Sequence, residues 1–391
     1  MGFQSQIEEA LQELESAGLR RSPPQVSGPQ GREIQVNGRA VLCFCSNNYL
    51  GLADHPEIVA AARLAAENEG AGSGASRLIS GTMDAHVEAE AALAAYAGME
   101  SAVLFSSGYA ANVGTIQALL GPGDAVFSDA LNHASLIDGC RLSRAQVHVY
   151  RHRDTEHLAS LLESERPKAR RALIVSDSLF SMDGDLAPLG TLSELARRHA
   201  AGLMIDEAHA LGVLGPEGRG LAAEQGVRPD ILVGTLGKSF GLAGAFVAAS
   251  NDMASFLRNR ARSFVYSTAP APPLLRAAMA ALPLVRDAEA RRSALMANAS
   301  RLRVELRALG LEVPMGVGPI IPVLIGENAR TMRLSAGLLE RGVFVQGIRP
   351  PTVAPGSARL RLTAMATHRS EDIDKAIEAF AATMERVEGD E

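Results

Sequence analysis

The sequence predicts an α/β fold: a mostly parallel β-sheet covered by helices on both faces, with a second, smaller α+β domain. Three observations predict it. From about residue 100, short β-rich runs alternate with helical ones, the rhythm of parallel strands joined by crossover helices. That regular alternation gives way near residue 290 to a different mixture of helix and strand. The chain has 391 residues, a length that suits two packed domains rather than one.

Taken in order, the elements begin with an amphipathic helix. Phe3, Ile7, Leu11 and Leu14 recur at helical spacing, which predicts a helix packing on the body or on a partner. "AVLCFCSNN" alternates like a strand and would place Cys43 and Cys45 on one face. "HPEIVAAARLAAENE" reads as a helix. "SAVLF", "DAVFS", "AQVHVY", "RALIVSDS", "GLMID" and "DILVGT" read as strands, with helices such as "TEHLASLLESE" and "LGTLSELARRHA" between them. Past residue 290 come a helix near 292–309, "PIIPVLI", a helix, "VFVQG", "ARLRLTA" and a last helix marked by Ile373, Ile377, Phe380, Met384 and Val387. The expected organisation is residues 1–50 packing with the small domain, 51–289 as the large domain and 290–391 as the small domain.

Composition narrows the function classes. Net charge is −6 with no basic block, which argues against nucleic acid as the main partner. No apolar run reaches membrane-spanning length, and the first residues have neither the basic start nor the apolar centre of a signal peptide. The spacing of Ser5 does not meet the myristoylation pattern. Three cysteines, Cys43, Cys45 and Cys140, include no C-x-x-C pair, which suits buried thiols in a reducing cytoplasm.

Only three of the 38 basic residues are lysines. Lys168 lies in the charged run "ESERPKARR" and Lys375 on the polar side of the last helix. Lys238 alone sits among Gly, Ser, Leu, Ala and Phe, in "GTLGKSFGLAG". Desolvation there would turn a lysine towards a nucleophilic amine. Gly237-Lys238-Ser239 copies the tail of a P-loop, but that motif needs a glycine at 232, which is Leu232. "GAGSGA" (70–75) copies a dinucleotide fingerprint, but a helix rather than a strand precedes it.

In a parallel sheet, ligands sit beyond the carboxyl ends of the strands. Those ends carry Asp206 and His209 after "GLMID", Thr235 and Lys238 after "DILVGT", Ser107, Gly108 and Tyr109 after "AVLF", and His133 after "DAVFS". The set suits pyridoxal phosphate. Lys238 could bind the aldehyde as an imine, and Asp206 could keep the ring nitrogen protonated. The helix start at Ser107-Gly108-Tyr109 could take the phosphate, and His133 could cover the ring. No metal is called for.

"SNNYLGL" (46–52), "GAGSGASRLISGT" (70–82), "LFSSGYAAN" (104–112), "NHAS" (132–135), "DSLFSMDGDLAPL" (177–189), "DEAHALGVLGPEGRG" (206–220), "GTLGKSFG" (234–241) and "YSTAP" (266–270) resemble the α-oxoamine synthases, fold-type I pyridoxal-phosphate enzymes. The resemblance covers residue 20 to the end. It implies a seven-stranded sheet in the large domain and a homodimer with composite active sites. It also implies that Lys238 is the imine-forming lysine and Asp206 the partner of the ring nitrogen. His209 and Ser181 would serve the ring-hydroxyl side, and His133 would stack. Gly108, Tyr109 and Thr235 would hold the phosphate, with Ser267 and Thr268 reaching it from the other subunit. Asn47 and Arg361 would lie near the amino acid's carboxylate, and Arg21 and Thr352 near the acyl group. "GLRR", "FVYSTAP" and "RPPTVAPGSARLRLTAMATH" resemble most the branch that condenses L-alanine with a pimeloyl thioester, on CoA or acyl carrier protein, in biotin synthesis. Alternatives are glycine with acetyl-CoA or another amino acid and acyl pair, a non-catalytic partner subunit of the same fold, and an aminotransferase or lyase.

Overall fold

In the computed structural model, which describes residues 2–389, the chain divides into two units. One comprises Asn47–Ser181 and Asp185–Arg292. The other comprises Met1–Ser46, Met182–Gly184 and Ser293–Glu391.

The first unit is built on a seven-stranded sheet. Its order is Ser101–Phe105, Ala245–Ala249, Ile231–Thr235, Gly202–Asp206, Ala172–Asp177, Ala125–Asp129 and Gln146–Tyr150. The five strands between Ala125 and Thr235 run parallel. Ala245–Ala249 lies antiparallel to both of its neighbours. This last strand is not among the runs the sequence pattern announces. Three of its five residues are alanine, a poor strand former, and pairing on both edges with complete burial supplies what propensity lacks. The central strands read as unbroken apolar runs because both faces are covered: all six residues of Ala172–Asp177 are buried. Val103, Phe105, Ile116, Val126, Leu136, Val175, Met204, Val233 and Val247 make one apolar cluster of the core.

Parallel register brings the chemistry to one end. Asp177 and Asp206 stand side by side at the carboxyl ends of adjacent strands. The helix Gly108–Leu119 starts just after Phe105, and Ala134–Ser143 starts just after Asp129.

A buried ion pair lies outside that cluster. Arg77 Nη1 donates to Glu90 Oε1 at 2.8 Å, and its Nη2 to Oε2 at 3.1 Å, both side chains being buried. Removing one member leaves the other charged and desolvated, so Glu90→Ala is expected to cost about 3–5 kcal/mol. Urea unfolding measures it; a loss below about 1 kcal/mol would show that the pair behaves as a surface pair.

The second unit carries a hairpin, Glu33–Val36 and Arg39–Cys43, closed by Asn37 and Gly38. Both loop residues have positive φ, 49° and 80°, which is why Asn-Gly occupies them. Ile34, Val36, Val41 and Cys43 alternate onto its core face. Cys43 closes its strand, and Cys45 lies in the bend beyond it, half-buried against the same cluster. The run "VFVQG" is two strands: Val343–Phe344 pairs with Arg39–Cys43, and Gln346–Ile348 pairs with Ala358–Thr363. The last helix, Ser370–Gly389, buries Ile373, Phe380 and Val387. The first helix, Phe3–Ser16, forms as its spacing predicts and buries none of its residues. Among the described residues, no helix is long and apolar enough to cross a membrane.

Candidate active site

Asp206 ends the strand Gly202–Asp206 and is 4% exposed. Its Oδ2 accepts from Asn112 Nδ2 at 2.7 Å, and its Oδ1 accepts from the backbone N–H of Ala208 at 2.8 Å. Asn112 comes from the first turns of the helix Gly108–Leu119. The same Nδ2 also donates to Ser135 Oγ at 2.9 Å, and Ser135 Oγ lies 2.7 Å from His133 Nδ1. The backbone N–H of Ser135 donates to that Nδ1 as well, at 3.3 Å. Nδ1 is thus an acceptor, which leaves the proton of neutral His133 on Nε2. A continuous chain of hydrogen bonds therefore runs from Asp206 through Asn112 and Ser135 to His133.

His133 is held from its backbone too. Its N–H donates to Asp177 Oδ2 at 2.6 Å, and the N–H of Asp177 donates to Asn132 Oδ1 at 3.0 Å. Partial burial lowers the pKa of His133, and the charge of Lys238 lowers it further against the opposing pull of Asp206. His133 is exposed on one side and surrounded by protein beyond, so desolvation acts although the ring stays reachable. Burial and the nearby Asp206 charge push the Asp177 carboxyl well above the usual range.

Lys238 follows the strand Ile231–Thr235 and is half-buried, whereas Lys168 and Lys375 are exposed. Its carbonyl accepts from the N–H of Gly241 at 2.9 Å. Gly241 has φ +70°, and a Cβ there would stand 2.4 Å from the backbone nitrogen of Ala53, so this turn admits only glycine. Thr235 Oγ1 donates to Gly244 O at 3.2 Å and accepts from the N–H of Gly237 at 3.1 Å, pinning the other side of the turn.

Ser107 caps the helix Gly108–Leu119, its Oγ accepting from Ala110 at 3.1 Å. First-turn amides of a helix lack intrahelical partners, and a Cβ on Gly108 would meet nothing within 4 Å. This is an open cradle for an anion. Tyr109 turns its hydroxyl to Asp138 Oδ2 at 2.7 Å. His209 is buried, and its Nδ1 lies 2.7 Å from Tyr49 Oη, whose O–H donates to Asn47 Oδ1 at 3.1 Å. Ser181 follows Leu179, which bridges to Leu186. Thr268 bridges to Ser76, and Ala269 donates to Ala75 O at 3.0 Å, so the Ser267-Thr268 segment is tied to the glycine-rich segment. That segment follows the helix Pro56–Glu69, as read from the sequence.

In the other unit, Arg361 lies on the strand Ala358–Thr363, opposite Pro322 and Gln346, and is buried. Arg21 Nη2 donates to Thr352 Oγ1 at 3.2 Å, so these two predicted residues meet.

The structure thus joins Asp206, His133 and the Lys238 charge in one cluster, and joins His209 to Asn47 through Tyr49. Sequence reasoning missed Asn112, Ser135, Asp177 and Tyr49. All four lie inside the quoted motifs, and Asn112 sits one turn into the helix Gly108–Leu119, where an amide on the inner face is the signal. Glu207, next to Asp206, shares none of that carboxylate's side-chain partners. It accepts from Ser178, Leu221 and Ala222, and burial, partly offset by those donors, raises its pKa to about 7.

The donor set fits pyridoxal phosphate: a fixed, buried carboxylate, an amine at the end of the next strand, and an uncluttered helix start. Comparisons with known proteins agree. Residues 39–380 match the aminotransferase class I and II family. An 8-amino-7-oxononanoate synthase of Anaeromyxobacter dehalogenans is 51% identical over 376 residues, 96% of this chain and 94% of that one. The Sphingomonas wittichii serine palmitoyltransferase structure is 32% identical, with a TM-score of 0.93 over 100% of both chains. A structure of SPT with PLP as its internal aldimine is 30% identical, with a TM-score of 0.94 over 99% of this chain and 100% of that one. The chain belongs to the aminotransferase class I and II family, within its pyridoxal-phosphate-dependent α-oxoamine synthases.

Proposed function

We propose that this enzyme condenses L-alanine with a pimeloyl thioester, of CoA or acyl carrier protein, to give 8-amino-7-oxononanoate, carbon dioxide and the free thiol, a step of biotin synthesis. The observation that carries the substrate pair is the identity of 51% over 96% of the chain with a synthase of that name, against 32% with serine palmitoyltransferase. Retention of the full strand-end set in connected geometry supports a working catalyst over a scaffold subunit.

Pyridoxal phosphate, when bound, supplies the electron sink that stabilises negative charge at the amino acid's α-carbon. The chain's residues do the rest. Lys238 Nζ holds the cofactor and then takes the α-proton. Asp206, fixed by Asn112 and the Ala208 amide, holds the proton on the ring nitrogen. His133 would cover the cofactor ring, and its Nε2–H would be available to an acyl carbonyl. His209 and Ser181 orient the ring-hydroxyl side. Ser107, Gly108, Tyr109 and Thr235 take the phosphate. Arg361 is assigned to the amino acid's carboxylate, for which a planar guanidinium is suited, and Asn47 is assigned to the substrate end of its own unit. Arg21 and Thr352 serve the acyl chain. Ser267 and Thr268 complete the phosphate site of a second copy in a homodimer, a reading supported by Thr268 being exposed here. Three free thiols support a reducing cytoplasm as its compartment.

The test is a set of turnover assays reading free thiol and carbon dioxide. Alanine with pimeloyl-CoA or pimeloyl-carrier protein is expected to be the best pair. Faster release with glycine and acetyl-CoA, or with serine and palmitoyl-CoA, would overturn the substrate assignment and leave the reaction class standing. No release with any pair, from protein carrying its cofactor, would overturn the class.

A further inference from the structure

His152 is not part of the site described above, yet it connects two segments that are. It lies just past the edge strand Gln146–Tyr150. Its Nδ1 is 2.8 Å from Asp129 Oδ1 and its Nε2 is 2.8 Å from Asp185 Oδ2. The Phe180 ring packs edge-on against it at 4.4 Å between centroids. Asp129 ends the strand that leads to His133, and it also takes the N–H groups of Leu131 and Arg153, both at 2.8 Å. Asp185 closes the turn that follows Ser181, its carbonyl accepting from Phe180 at 3.0 Å, and its carboxylate also takes Arg153 Nη1 at 3.0 Å.

Carboxylates accept and do not donate, so both ring nitrogens must carry protons to make both bonds, and only the imidazolium does so. A neutral ring would satisfy one carboxylate and turn a lone pair toward the other.

We propose that His152 is a positioning residue: as an imidazolium bridging Asp129 and Asp185, it holds the segment bearing His133 in register with the segment bearing Ser181. This rests on the cofactor-site reading of those two residues. The charged groups facing the ring are Asp129 and Asp185; the Arg153 guanidinium shares the Asp185 carboxylate, and Asp129 takes only its backbone N–H. Burial is the largest single influence and opposes the charge, but the hydrogen bonds and charges of the two aspartates together raise the His152 pKa to about 9. The sign follows. A folded-state pKa above the ordinary 6.5 means that the clamp is fully present below about pH 6.5 and is lost as pH rises through about 9.

The test uses whole wild-type protein and the His152→Gln variant. Histidine NMR resonances are followed against pH, and pyridoxal phosphate is titrated into apo-protein by absorbance. In wild type, the resonance missing from the variant is expected to titrate near 9, and cofactor affinity to fall over the same range. At pH 7.5 the variant is expected to bind the cofactor about tenfold more weakly and to show no step near 9. An alkaline step kept by the variant belongs to another group, such as Lys238, and would remove His152 from the pH effect. A His152 resonance titrating near 6.5, or a variant binding the cofactor as wild type does, would overturn the proposal. A merely structural histidine would lower the melting temperature without changing cofactor affinity. Failure of wild type to bind pyridoxal phosphate at all would count against the cofactor-site reading, independently of His152.

Discussion

Lys238→Ala is expected to reduce turnover by about 10⁵-fold or more, the order seen when a covalent catalytic group is removed. Two separate tasks are lost with one amine: holding the cofactor and moving the α-proton. Neither Lys168 nor Lys375 can substitute. Lys168 pairs with Glu165 at 2.9 Å on the surface, and Lys375 is exposed on the last helix. The fold should survive, because the turn around Lys238 is held by backbone bonds from Gly241 to Lys238 and from Leu236 to Gly244, which the substitution keeps. The measurement is turnover together with visible absorbance before and after alanine. Wild type should show the lysine-bound cofactor band and a change on adding alanine. The variant should lack that band and show no turnover. Variant activity within tenfold of wild type would remove Lys238 from the mechanism.

Asp206→Asn is expected to lower turnover by about 10³-fold, comparable to losing a pre-organised electrostatic contact in a dry site. The amide keeps the shape and can still accept from the Ala208 N–H. Its new NH₂ group would face Asn112 Nδ2, donor against donor. Asn112 can rotate its amide to relieve this, since its Oδ1 is buried and has no hydrogen-bond partner among the described residues, but it then gives up its bond to Ser135. The variant should therefore fold, hold the cofactor more weakly, and leave His133 less firmly oriented. Cofactor titration and turnover at saturating cofactor separate these effects. Unchanged turnover at saturation would show that Asp206 only binds and does not hold the ring proton.

Much of the fold was legible because its signals are local. Strand runs such as Gly202–Asp206 and the helix Thr155–Glu165 appear at the expected residues, since continuous apolar runs and 3.6-residue spacing need no distant partner to be read. Ala245–Ala249 was not legible, because an alanine-rich strand exists only through its two neighbours. "VFVQG" is a single run in the sequence and two strands in the fold, because which sheet each half joins is decided by the strands beside it.

The site divides in the same way. Sequence by itself determined the residue types at the strand ends, the single lysine in apolar context and the family motifs. Those are facts about composition and order, and they were enough to name Lys238, Asp206 and His133. Tertiary structure alone decided how they are held. Asn112 reaches across from the helix to Asp206, 94 positions later, and Ser135 passes that contact on to His133. Asp177 fixes the backbone of His133 from another strand, 44 positions away. Tyr49 reaches His209 across 160 positions. Hydrogen bonds act over about 3 Å, and which distant residue becomes the partner is not written in the local sequence of either one. Only the packed sheet, by placing strand ends side by side, creates them.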